Sequence, residues 1–147
     1  MSDIHTILVD MPSAWRSASE EVRVLGSTDV IATCAVRDLE KAKKFYEATL
    51  GLTPLPTGEA GVLSYKSGHS SLLVYQSQYA GTNKATAATW AVNDLEATVQ
   101  GLKAKGVRFE HYDLPGTERK GDIHGSGRTK AAWFKDPDGN ILAVVSG

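Results

Sequence analysis

A chain of 147 residues with 41% hydrophobic and 22% charged residues has the balance of a single globular domain. Its formal net charge of −1 and the lack of any long basic block argue against a nucleic-acid partner, since phosphate backbones demand clustered cations. No apolar run approaches the roughly 20 residues that cross a bilayer, and no basic stretch leads into an apolar one at the amino terminus, so a cytoplasmic protein without a membrane partner is expected.

Residues 1–29 read as an arm. Ile7, Leu8 and Val9 suit a short strand, and residues 15–25 have weak helical patterning after Pro12; the arm either packs on the domain or a dimer partner, or acts as a lid. Beyond it the chain repeats. Val36-Arg37-Asp38-Leu39-Glu40 returns 56 residues later as Val92-Asn93-Asp94-Leu95-Glu96. Each copy follows a strand pattern, at 31–36 and 87–92, and each opens a helix capped by Asp38 or Asp94. Leu39, Ala42, Phe45, Tyr46 and Leu50 give the first helix one apolar stripe that stops at Gly51; Leu95, Val99 and Leu102 do the same for a second that stops at Gly106. Strand signals follow at 53–55, 61–66 and 71–76 in the first half and at 107–110, 130–135 and 141–146 in the second. Asp136-Pro137-Asp138-Gly139-Asn140 is a reverse-turn sequence that joins the last two strands. The reading is α+β: two tandem βαβββ modules, at about 30–76 and 85–147 with a linker at 77–84, forming a curved mixed sheet around a cavity. Cys34, the only cysteine, allows no intrachain disulfide and is expected as a buried thiol in the first strand.

The pattern Val-x-Asp-Leu-x-x-Ala-x-x-Phe-Tyr-x-x-x-Leu-Gly over residues 36–51 resembles the opening of a vicinal-oxygen-chelate domain, the glyoxalase and bleomycin-resistance type of fold. The second-half echo and the closing Trp133-Phe134-Lys135-Asp136-Pro137-Asp138-Gly139-Asn140 are similar to the rest of that family. The resemblance implies a glyoxalase-like fold and a choice of chemistries: metal-dependent lyases, isomerases, epimerases and extradiol dioxygenases, fosfomycin-modifying transferases, or metal-free proteins that bind antibiotics such as bleomycin. It also implies a homodimer.

In metal-dependent members the resemblance places ligands on the first and last strands of each half. Here those positions fall on Ile31 and Ala87, five residues before each pre-helix valine, on Ala143, and on a first-half strand with no histidine or carboxylate in any register. A divalent cation needs imidazole, carboxylate or thiolate at about 2.0–2.6 Å. The expectation is therefore no metal site and no cofactor. His5 belongs to the arm and His69 to a hairpin turn. His111, His124 and Tyr112 lie in the segment after the sixth repeat strand, where surface placement is the plain expectation; they are nonetheless the best candidates for proton transfer.

Strand alternation puts Ile31, Thr33, Ala35, Ala87, Thr89 and Ala91 on the concave face, with Ala131 and Trp133 pointing inward from the penultimate strand and Phe134 packing behind it. Tyr65 and Tyr75 are expected to add a wall and a hydroxyl, and Trp90 to belong to the core. Residues 111–129 read as a 19-residue lid hinged at Gly121, Gly125 and Gly127. Arg128 at its end is placed to pair with an acidic ligand group, while Arg119 and Lys120 are expected in solvent. The favoured function is a metal-free protein, either a binder or a metal-independent enzyme, that takes a small apolar or aromatic molecule between Trp133 and this lid. The alternative is a metal-dependent lyase, isomerase or dioxygenase of the same superfamily. A purely structural or partner-binding domain would follow if Trp133 were inaccessible and no cavity existed.

Overall fold

A computed structural model describes residues 24–147. The chain divides into two compact units, Met1–Val30 and Ile31–Gly147. In the first, residues 24–27 form a turn, and the Thr28 amide donates to the Leu25 carbonyl at 3.1 Å. The strand expected at 7–9, His5 and all of the helix expected at 15–25 except Val24 and Leu25 lie outside the described residues. No helix among the described residues is long and apolar enough to cross a membrane.

The second unit is α+β and built from the repeat. Its first module runs β1 (Ala32–Val36), α1 (Leu39–Lys43), β2 (Thr53–Leu55), β3 (Val62–Ser67) and β4 (Ser70–Gln76). The strands lie in the order β1-β4-β3-β2, with β1 parallel to β4 and the other pairs antiparallel. The second runs β5 (Thr86–Ala91), α2 (Leu95–Ala104), β6 (Phe109–Glu110), β7 (Glu118–Lys120), β8 (Ile123–Ser126), β9 (Thr129–Lys135) and β10 (Ile141–Ser146). Its order is β5-β10-β9-β8-β7, with β5 parallel to β10 and β6 also paired to β9. Without the β7–β8 hairpin the second module repeats the first, and β1 and β5 touch where the two sheets meet.

Both caps form as the repeat predicts. One Asp38 carboxylate oxygen accepts from the Glu40 and Lys41 amides at 3.1 Å, and one from Asp94 accepts from Ala97 at 3.0 Å. The first helix then widens into a π-helical turn over Lys44–Thr49. The segment 111–129 departs from expectation, because much of it is not a loop but a hairpin. Lys120-Gly121-Asp122-Ile123 and Ser126-Gly127-Arg128-Thr129 are two-residue turns, with Gly121 and Gly127 at φ 61° and 60°. Glycine at the first central position suits the strand twist, so these glycines are hairpin corners rather than hinges.

Alternate residues on each strand face the helices. Cys34, Val36, Tyr65, Leu72, Val74, Ala132, Phe134, Leu142 and Val144 are buried there with Ala42, Tyr46, Leu95 and Val99. Burial pushes the Cys34 thiol pKa up, which keeps it protonated and inert. Trp90 shares this face but is only partly buried, and its indole N–H donates to the Ser67 hydroxyl at 2.9 Å.

One polar network crosses the core. The buried Asp136 carboxylate accepts from the Tyr46 hydroxyl and the Asn140 side-chain amide, both at 2.7 Å, and from the Asn140 and Asp138 backbone amides at 2.9 and 3.0 Å. Asn140 also donates to the Ala35 carbonyl at 2.7 Å. The β9–β10 turn of the second module is thereby fastened to the first helix and first strand of the other. Burial, then the Asp136 charge, pushes the Tyr46 hydroxyl pKa far above its ordinary range, so it remains a donor. At the surface, Asp122 in the β7–β8 turn accepts from Lys103 of α2 at 2.8 Å and faces His111 at 2.7 Å.

Asp136→Ala should destabilise the fold by about 3 kcal/mol or more, because it strands several buried donors at once; Tyr46→Phe, which removes one, should cost about 1–2 kcal/mol. Urea unfolding midpoints measure both. The Lys103 and His111 contacts hold the Asp122 carboxyl below its usual pKa, so its stabilisation is complete above the unfolded value near 4 and is lost as pH falls through the lower folded value. Between pH 5 and 3 the wild type should lose up to about 1 kcal/mol more stability than Asp122→Asn, a modest amount because the pair is near the surface.

Candidate functional site

Opposite the helices, the sheets present a face of small and aromatic residues. Register fixes its membership. Thr33 lies beside Leu73, Ala35 beside Tyr75, Ala143 beside both Thr89 and Trp133, and Val145 beside Ala91 and Ala131. Thr33 and Thr89 are exposed, Tyr75 is 39% exposed, and Ala131 and Trp133 are partly buried. These expected lining residues share one face.

Two expectations fail for identifiable reasons. Tyr65 points the other way. The β3–β4 turn contains only Gly68 and His69, so Tyr65 opposes Leu72 while Tyr75 opposes Val62, and the two tyrosines fall on opposite faces. The Tyr65 ring is buried against Tyr46 at 6.0 Å, and its hydroxyl donates to Glu47 at 3.0 Å. Burial, then Glu47, pushes its pKa up. Ala87 also leaves the concave face, because the β5–β10 register slips between Ile141 and Leu142. The extra residue is Ala87, which packs against the core, and Thr86 stands opposite Ile141 in its place.

Thr86 matters for the indole. Trp133 on β9 donates its Nε1–H to the Thr86 hydroxyl on β5 at 3.1 Å, and β10 runs between those strands. The ring therefore spans β10 at the level of Ala143, which is only 2% exposed. A larger side chain at 143 would collide with that indole.

The positions that the resemblance assigns to metal ligands do not fit a divalent cation. Ile31, Ala87 and Ala143 carry no donor atom, and β4 offers Ser71, Leu73 and Tyr75 on this face. Among the described residues no group of three or more His, Cys, Asp or Glu side chains is placed to hold an ion.

The three proton-transfer candidates separate. His111 is exposed and engaged with Asp122 near α2. His124 is not a surface residue: it lies on β8 opposite Ala131, on the concave side, and is 2% exposed. Its ring centre is 5.0 Å from that of Trp133, and Tyr112 completes the cluster at 5.5 Å from Trp133 and 6.2 Å from His124. The Tyr112 backbone amide donates to His124 Nε2 at 2.9 Å. Since Nε2 accepts, the neutral ring carries its proton on Nδ1. Among the described residues neither that Nδ1 nor the Tyr112 hydroxyl has a partner, although both are buried. Burial, then the Glu110 charge, raises the Tyr112 pKa and keeps its hydroxyl protonated. The sequence signal for this cluster was available in the short turn 127–128, which pairs residue 124 with 131 and so turns His124 toward Trp133.

Arg128 occupies the β8–β9 turn and is exposed, as are Arg119, Lys120 and the turn residue His69. Two hollows lie on the helix side. One of about 520 Å³ includes Glu96, Glu118, Lys120, Ile123 and Lys130; another of about 200 Å³ includes Leu50, Leu52, Trp90, Leu102 and Phe134. None of the residues predicted to bind a ligand lines either, and only Tyr65 lines another, a hollow of about 220 Å³ beside Leu55 and Leu63.

Solved structures with the same fold include a lactoylglutathione lyase from Agrobacterium tumefaciens, 18% identical, covering 82% of this chain and 94% of its own, with a TM-score of 0.60. TnmS3, an antibiotic binding protein from a Streptomyces species, is 20% identical, with coverage of 82% and 97% and a TM-score of 0.55. A member of the glyoxalase/bleomycin resistance protein/dioxygenase superfamily from Sphaerobacter thermophilus is 22% identical, with coverage of 80% and 94% and a TM-score of 0.57. No curated protein matches the sequence. The family model for the glyoxalase/bleomycin resistance protein/dioxygenase superfamily matches residues 29–144, and with the paired modules described above the chain belongs to that superfamily.

Proposed function

We propose that this protein binds a small apolar or aromatic molecule on its concave sheet face, against the Trp133 indole, without a metal ion. The observation that carries the reading is the Trp133 ring spanning β10 at Ala143, where metal-dependent relatives need a ligand. A flat indole flanked by small side chains and a few hydroxyls suits a planar guest, and apolar surfaces with sparse polar groups are the usual form of such sites. That TnmS3 is an antibiotic binding protein on the same fold is consistent with this. Arg128 at the rim is available to an acidic group on the ligand.

Thr33, Thr89 and Ala91 are exposed, and Ile31 is 52% exposed, so the face is open along β1 and β5. A second copy of the chain covers it in our reading, as a homodimer. The single free thiol, Cys34, suits the reducing cytoplasm. The competing metal-dependent reading, lyase, isomerase or dioxygenase, would need donors that Ile31, Ala87 and Ala143 do not supply.

Screening metabolites and antibiotics by tryptophan fluorescence, on protein purified without chelators and characterised by elemental analysis and sedimentation, tests these claims together. The expected outcome is a dimer without stoichiometric iron, manganese, nickel or zinc, and a planar ligand whose quenching is lost and whose affinity falls about tenfold in Trp133→Ala. A stoichiometric transition metal would restore the competing reading, and a monomer would remove the dimer.

A further inference from the structure

Within the site just proposed, and resting on that reading, we propose that His124 and Tyr112 select ligands carrying an uncharged hydrogen-bond acceptor, such as the carbonyl oxygen of a planar ketone. Because His124 Nε2 accepts from the Tyr112 amide, the imidazole presents Nδ1–H as a donor. That donor is buried and has no partner among the described residues, and the same is true of the Tyr112 hydroxyl. Buried polar groups in folded proteins almost always find partners, so two orphans in one three-ring cluster mark a place that a guest completes. Both belong to the aromatic cluster of Trp133, whose ring edge meets the imidazole at 78° and the phenol at 76°. A planar molecule on the concave face beside the indole is thus offered an N–H and a hydroxyl at one end.

The match is chemical. A carboxylate would bring a second negative charge near Glu110, whose charge already acts on the Tyr112 hydroxyl, whereas a neutral carbonyl accepts a hydrogen bond without that repulsion. A hydrocarbon of the same shape would leave both donors unpaired, so discrimination should be larger than shape alone provides.

The test compares 1-indanone with indane, two probes that differ by one carbonyl, in titrations of the full chain followed by Trp fluorescence and by nitrogen-15 spectra of the imidazole. The expected result is about tenfold tighter binding of 1-indanone, with the His124 Nδ1–H signal shifted by that probe alone. In Tyr112→Phe the preference should shrink, and in His124→Phe it should fall below about twofold. Equal affinity for both probes would overturn the selectivity and leave the proposed binding face standing, as would a preference that survives both variants. Binding of neither probe would overturn both.

Discussion

The Asp136 carboxylate is the point from which the architecture is held. Its buried oxygens gather the Tyr46 hydroxyl, the Asn140 side chain and two turn amides, while Asn140 reaches the Ala35 carbonyl. Contacts from two other parts of the chain thereby converge on one five-residue turn, and the network couples a module-two hairpin to the first strand and helix of module one. A buried charge is costly unless fully satisfied, and here satisfaction requires that all these segments be in place together. The register of β9 against β10 follows from that turn, and the register places Trp133 beside Ala143.

The functional reading grows out of the same alignment. A metal ligand at 143 would need room and open access to a cation; an alanine beneath an indole has neither need. The small residues along β1, β5 and β10 leave the space, Thr86 fixes the indole edge, and His124 and Tyr112 add donors at the far end of the ring.

Much of this was legible before any coordinates. The 56-residue echo carries the aspartate caps and the two helices, because caps and stripes are local signals. The face assigned to Thr33, Thr89, Ala131 and Trp133 followed from alternation within single strands. The failures arose where alternation must be carried across something. A two-residue turn reverses the parity between Tyr65 and Tyr75, and a bulge at Ala87 shifts β5 by one residue. Residues 111–129 read as a lid because the segment is long and rich in glycine and charge and its strands are short; Gly121-Asp122 and Gly127-Arg128 carry the hairpin signal. His124 was missed as a buried group for the same reason, since only pairing with β9 turns it inward.

Which face receives a guest is the central claim, and a map of backbone amide shifts on titration with 1-indanone in the presence of EDTA addresses it directly. The account predicts perturbations centred on Thr86, Thr89, Ala131, Trp133 and Ala143, undiminished by the chelator. Shifts confined to the helix-side crevice around Leu50, Trp90 and Leu102, or abolished by EDTA, would contradict it.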